Sequence, residues 1–439
     1  MWRAAILSGL LVASCLAVPQ NPAAGASDPR IDSLIDSVFN PVVDGAGGGL
    51  TTAAPEPGSL EYLIQQSLRE EQKKNQANQN SNDGTHLGVN NPSNVAKPDD
   101  CECVRYFQCQ SNGTIVTDGG GIIDIRVSGP CESYLDVCCK APDRLPDNEK
   151  ITPRPTPRTG CGRRNSQGVG FRITGDKDNE AQFGEFPWMA AVLREEYMDP
   201  KNPKQPLNVY HCGGALIHPQ AILTAAHYVN GKKPHELKVR AGEWDTQTKN
   251  EIYPHQDRDV SKIIVHEQFN PGSLFNDFAI LILSQPFNFA ENVDVVCLPE
   301  LQDRFDFSNC VATGWGKDVF GQAGHYQVIL KKVELPIVPH DDCQTALRRT
   351  RLGHHFKLDS SFVCAGGKLG QDTCRGDGGG PLVCPIKGDP TRYAQAGIVA
   401  WGIGCGDAIP GVYANVAGAR RWIDEKMAFN NLDTFTYTY

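Results

Sequence analysis

From Ile173 onward, short runs of Val, Ile, Leu and Ala recur between Gly, Pro, Asn and Asp: MAAVL, GGALI, AILTAA, KVRAG, SKIIVH, FAILIL, CVATGWG, KKVELPIV, PLVC, AQAGIVAWG and GVYANV. Runs this short, rich in β-branched residues and punctuated by turn formers, predict strands, and so many in succession predict an all-β barrel or sandwich. One stretch breaks the rhythm. Ala417 to Ala428 places Trp422, Ile423 and Met427 on a single helical face, which predicts a closing helix, with residues 429–439 as a tail.

Upstream the pattern dissolves. Residues 141–172 contain RLPDNEKITPRPTPRTG, whose prolines favour an extended, semi-rigid spacer. Residues 18–97 are rich in Ala, Gly, Asn, Pro, Gln and Ser and hold too little apolar surface to fold alone. Leu60, Leu63, Ile64 and Leu68 after Ser59 predict one short amphipathic helix there, either a docking segment or a transient turn in a linker. At the start, Arg3, the apolar run Ala4 to Val12 and small residues ending at Ala17 read as a secretory signal over residues 1–17. That run is too short to span a bilayer, so no transmembrane segment is expected.

The 16 cysteines point the same way, because a density of this kind belongs to an oxidising, extracellular compartment. Six of them crowd between Cys101 and Cys139 within residues 98–140, too short a stretch for an ordinary core, so disulfides must hold it. Asn112-Gly113-Thr114 is a glycosylation sequon among them. The net charge of −9 is modest and mixed, and gives no ground for a nucleic-acid partner.

Chemistry-bearing motifs follow in order: Ala225-Ala226-His227, then Asp277 in NDFAIL, then DTCRGDGGGPLVC from Asp372 to Cys384. With Gly314-Trp315-Gly316 and Pro410-Gly411-Val412-Tyr413, these motifs resemble the trypsin/chymotrypsin serine protease family from about Cys161 to Ala428. The resemblance implies a trypsin-like double β-barrel with a C-terminal helix over residues 173–428. It also implies that His227 is the general base and that Asp277 orients it. The family's G-D-S-G-G-P supplies the nucleophile, and here that position is Gly378. Glycine has no side chain to attack with, so no catalytic residue is expected to function, and His227, Asp277 and Gly378 are vestigial triad positions. Removing the nucleophile alone costs on the order of a millionfold in turnover in a related chemistry.

Other parts carry over residue by residue. Asp372 matches the carboxylate at the base of a specificity pocket for Arg or Lys, with Gly402 and Gly411 leaving its walls open, the alternative being a closed relic. The N–H groups of Gly376 and Gly378 match the oxyanion hole. Activation in the family cuts before an Ile whose new amine pairs with the aspartate preceding the serine, here Arg172-Ile173 and Asp377. A second possible cut is Arg126-Val127. Ala400 stands where the family commonly has a serine supporting the triad aspartate. Glu243 in GEWD matches the start of the trypsin calcium loop, but the carboxylates expected after it are missing, so no cofactor is expected and calcium stays an unsupported alternative.

The order C-x-C, C, C, CC in residues 98–140 resembles the arthropod clip domain, with a generic knottin as the competitor. That family would pair Cys101 with Cys138, Cys103 with Cys131 and Cys109 with Cys139. The protease resemblance would pair Cys161 with Cys297, Cys310 with Cys384, Cys343 with Cys364 and Cys374 with Cys405. Cys212 is left over because Tyr228 stands where the family has its partner, which leaves it either buried and inert or free for an intermolecular bridge.

Clip, spacer and a protease body without its nucleophile together resemble the arthropod clip-domain serine protease homologues. That resemblance implies a regulatory, non-enzymatic role in haemolymph, with prophenoloxidase and an activating clip protease as protein partners and an oligomer after cleavage. An adhesion or matrix protein, or a decoy for inhibitors and substrates, are the competing classes. Two surface groups are further candidates for partner contact or plain solvation: Glu195, Glu196, Asp199, Lys201 and Lys204, and the basic Arg348, Arg349, Arg351, His354 and His355.

Overall fold

Cys101–Arg105 (β1) lies antiparallel to Asp136–Lys140 (β3), while Gly121–Asp124 (β2) runs parallel to Phe171–Thr174 (β4). So small a unit buries little apolar surface, and three disulfides close it: Cys101–Cys138, Cys103–Cys131 and Cys109–Cys139. This computed structural model describes residues 101–105, 108–109, 121–124, 131, 136–140, 160–174, 179–197, 206–246, 251–316, 328–369, 373, 377–404 and 408–439. The expected signal, the segment 18–97 with its helix, Asn112, Arg126-Val127, Asp372, Gly376 and the Cys374–Cys405 pair lie outside those residues.

The strand rhythm closes into two rings. Met189–Tyr197 (β5), Pro206–His218 (β6), Ala221–Thr224 (β7), Leu237–Ala241 (β8), Gln256–Val265 (β9) and Ala279–Leu283 (β10) form one barrel in the order β10-β7-β6-β5-β8-β9. Asn309–Gly314 (β11), Lys331–Val338 (β12), Phe362–Gly366 (β13), Pro381–Ile386 (β14), Asp389–Trp401 (β15) and Pro410–Asn415 (β16) form the other, in the order β11-β12-β13-β16-β15-β14. Closure pairs every strand on both sides and so removes exposed edges. β10 is buried at all five positions, whereas β8 alternates buried and half-buried residues, inward and outward by turns. The two rings meet where Gly213 N–H donates to the Gly378 carbonyl at 2.9 Å. A Cβ at Gly213 would stand 2.8 Å from the Gly380 Cα, so glycine is what lets β6 approach this loop.

The closing helix runs Val416–Phe429, one residue longer at each end than its sequence pattern, with Asn415 capping it by accepting from Gly418 N–H. It buries Trp422, Ile423 and Met427. Among the described residues two more α-helices precede it, the single turn Ala226–Val229 (α1) and His340–Arg348 (α2), which makes the long closing helix α3. The apolar rhythm had no place for α2. Its signals are shorter range: Asp341 and Asp342 in the first turn favour the positive end of the helix, and Cys343 and Leu347, four apart, are its buried face.

Residues 160–170 follow the proline run and carry Cys161, the expected tether. They pack on the barrels, because Cys161–Cys297 ties them down, Gly162 N–H donates to Val295 and Val169 N–H donates to Phe183. A further tie is ionic. Fully buried Glu185 accepts from Arg164 Nε at 2.9 Å and Nη2 at 2.6 Å through Oε1. Its Oε2 accepts from Gln182 N–H at 2.8 Å and from Lys332 Nζ of β12 at 2.9 Å. One carboxylate thereby joins the leading segment to both barrels.

Candidate functional site at the barrel junction

β7 ends at Thr224 and the chain turns directly into α1, which presents His227 at the junction. Asp277 stands just before β10, set by Asn276, which holds φ = +54°, a backbone state Asn tolerates better than most residues. His227 Nδ1–H donates to Asp277 Oδ2 at 2.6 Å, and His227 N–H donates to Oδ1 at 2.8 Å. Asp277 is completely buried, and the two residues expected as base and orienting carboxylate form a hydrogen-bonded pair. Ala400 is buried in the second barrel, and its methyl group offers no hydrogen-bond donor.

At Gly378, the expected nucleophile position, the space is filled from the other side. A Cβ built on Gly378 would lie 2.2 Å from the Tyr228 hydroxyl oxygen, 2.3 Å from Cε2 and 2.5 Å from Cζ. The phenol therefore occupies the space of the missing side chain. It is held there by aromatic contact with His227 at 4.0 Å between ring centroids and with His211 edge-on at 5.8 Å. His211 Nε2 also donates to the Tyr228 carbonyl at 2.8 Å, and burial depresses the His211 pKa. Reading Tyr228 only as a lost cysteine missed this. The signal was one of size: an aromatic beside the triad histidine, and a glycine at the serine.

Next in the loop, Gly379 has φ = +78°, and a Cβ there would meet Thr224 Oγ1 at 2.5 Å and the Gly213 carbonyl at 2.6 Å. Both backbone and space demand glycine here. Asp377 Oδ1 accepts from Gly316 N–H at 2.9 Å and lies against Gly314, where a Cβ would stand 2.2 Å from it. Ile173, its expected partner after cleavage, is held in β4 opposite Ile123 of β2. Gly402 and Gly411 are in place on the second barrel, and Thr373 hydroxyl meets the Tyr413 hydroxyl at 3.0 Å beside them.

Among the described residues every expected disulfide is formed, those of the clip unit together with Cys161–Cys297, Cys310–Cys384 and Cys343–Cys364. Cys212 is free and fully buried, 3.8 Å from Thr224 Oγ1, and burial pushes its thiol up to about 12. A sulfur with no exposed surface cannot reach a second chain.

A match to the trypsin family model spans residues 176–423, more than half of the chain. The chain belongs to the trypsin family. A second model, described as the serine protease clip domain PPAF-2, matches residues 90–140. Phenoloxidase-activating factor 2 of Galleria mellonella is 59% identical over 305 residues, which is 68% of this chain and 100% of that protein. The inactive CLIP domain-containing serine protease A8 of Anopheles gambiae is 39% identical over 67% of this chain and 78% of its own. The inactive CLIP domain-containing serine protease A3 of Aedes aegypti is 39% identical over 77% of this chain and 68% of its own. The chain is thus similar to a phenoloxidase-activating factor and to inactive CLIP domain-containing serine proteases of insects.

Where the trypsin calcium loop would start, Glu243 is engaged internally. It accepts from Arg240 Nη1 at 3.0 Å and from Trp244 N–H, and pairs with His255 Nδ1 at 3.2 Å. Glu251 beside it accepts from Asp245 N–H at 3.1 Å. Burial, then the Glu243 carboxylate, pushes Glu251 up to about 8. Burial opposes charge on Glu243 too, but His255 and Arg240 outweigh it and hold Glu243 below the usual range. A carboxyl that binds its proton more tightly folded than unfolded favours the fold fully below about pH 4.5, and that contribution fades as pH rises to about 8. Thermal melts should therefore show stability falling by on the order of 1–3 kcal/mol between those limits, and Glu251→Gln should flatten the decline. A wild-type melting temperature that rises steadily over the same range would refute this reading.

Proposed function

We propose that this protein is a secreted, non-catalytic regulator of an extracellular clip-protease cascade in haemolymph, the one that activates prophenoloxidase for melanisation. The observation that carries the reading is the Tyr228 ring standing in the side-chain space of Gly378. The nucleophile is absent and its place is taken, so the junction is shaped for holding and not for acyl transfer. The intact His227–Asp277 pair, the glycines of the loop and the disulfide framework then serve shape. The similarity to a phenoloxidase-activating factor and to relatives named inactive supports this direction. Its partners are prophenoloxidase and an activating clip protease.

Cleavage at Arg172-Ile173 or Arg126-Val127 provides the switch. Arg172 and Ile173 lie in β4, so a cut there breaks the parallel pair with β2 that links the clip unit to the start of the protease body. An oligomer formed after cleavage presents the regulatory surface. The test adds purified protein, intact and cleaved, to prophenoloxidase with its activating protease and records phenoloxidase activity. A several-fold rise that depends on cleavage is expected, without covalent labelling of this chain by a fluorophosphonate. No rise in either form, together with binding to cuticle or cells, would replace this reading with adhesion.

A further inference from the structure

From Cys343 to Leu358 the chain contains no Asp or Glu, although its net charge is −9. The same stretch carries Arg348, Arg349, Arg351, His354, His355 and Lys357. It is pinned to the end of α2 by short bonds. Arg348 Nε donates to the Phe356 carbonyl at 2.8 Å, and Leu358 N–H donates to Gln344 Oε1 at 3.0 Å. Two successive turns close through Gly353 N–H to Thr350 and Phe356 N–H to Gly353. Phe356 and Leu358 are buried, Phe356 edge-on to Trp401 at 6.2 Å. Burying the apolar side chains turns the cations outward: Arg349, Arg351, His354, His355 and Lys357 are exposed, and the two imidazoles lie 3.8 Å apart.

We propose that this ridge, residues 348–357, is a docking surface for a sulfated polysaccharide. Guanidinium groups grip sulfate oxygens in pairs, and a rigid backbone fixes their spacing before the ligand arrives. The ridge has no exposed apolar side chain. A protein interface needs aromatic or aliphatic anchors, and membrane-surface binding needs side chains to insert among acyl chains, so neither is as well matched. A hydrated, densely anionic polymer asks for nothing more than is present.

The test uses the full chain and fluorescein-labelled heparin as the probe, read by anisotropy. Binding is expected, with Kd rising by roughly tenfold or more from about 50 to about 200 mM salt, as counterion release requires. Replacing Arg349, Arg351 and Lys357 together by Ala should weaken it at least about tenfold and reduce the salt slope by roughly two to three. Replacing the exposed Lys233, Lys387 and Arg421 by Ala removes the same charge and should change Kd less than about twofold. Circular dichroism checks the fold, and Arg351→Glu alone, at an exposed site, gives the same direction should the triple variant be perturbed. Failure to bind heparin, equal weakening by both triples, or binding to phosphatidylserine vesicles with none to heparin would each overturn the proposal.

Discussion

Gly378→Ser on its own is expected to give no measurable turnover of an Arg-containing peptide and a lower melting temperature than wild type. The new Cβ would stand 2.2 Å from the Tyr228 hydroxyl, so the ring must swing away before the serine fits. That ring rests on His227 at 4.0 Å and its carbonyl is tied to His211, so the displacement disturbs the base the serine would need. Overpacking of this kind costs about 1–3 kcal/mol, equivalent to a few degrees for a body of this size. Attack also requires reacting atoms held about 3–3.5 Å apart, which an off-rotamer serine pressed against a phenol does not provide. Adding Tyr228→Ala should recover part of the lost stability, so the double variant should be more stable than the sum of the singles by about 1–3 kcal/mol. Efficient cleavage by the single variant, or strictly additive stabilities, would show that Tyr228 does not fill the serine's place.

This coupling explains why the site was only partly legible in the sequence. The motifs around His227, Asp277 and Gly378 give the three positions and their order, and the barrels follow because alternation and turns are local signals. The Tyr228–Gly378 contact links residues 150 positions apart across two barrels, and no local pattern encodes it. The loss of the serine and the loss of the cysteine look like separate departures in sequence, and become one event of volume exchange in space. α2 was hidden for a different reason. Its buried face is two residues, Cys343 and Leu347, too few to set a helical period against eleven strand-like runs. In residues 160–170 the sequence offers Cys161 as a tether, while Glu185, the other residue that anchors them, lies outside the segment.

Glu185→Ala should be the most destabilising single change outside the disulfides, costing about 3–5 kcal/mol. The side chain has no exposed surface, and it is the acceptor for two cations and one backbone N–H. Truncation leaves the Arg164 guanidinium and the Lys332 ammonium, both mostly buried, facing each other's charge with the carboxylate gone. Breaking a buried pair from one side is expensive because the remaining charge stays desolvated. Arg164 retains the Tyr393 hydroxyl at 3.0 Å and its stacking over Phe186 and Tyr393, which softens the loss without replacing the anion. Glu185→Gln should fall between wild type and Ala, since an amide keeps one acceptor and adds unwanted donors. Lys238→Ala, which removes a pair whose carboxylate, Glu195, is partly exposed where Glu185 is not, should cost under about 1 kcal/mol and serves as the reference. Limited proteolysis adds a spatial readout: residues 160–174 should become cleavable before the barrels do, because their ionic tie is the one removed. That segment ends in β4, so its release also frees the strand opposite β2 and should make the intact chain respond to cleavage less cooperatively. Denaturation midpoints for Glu185→Ala within the range of the Lys238 reference, with no new cleavage before residue 174, would show that the carboxylate does not hold the leading segment in place.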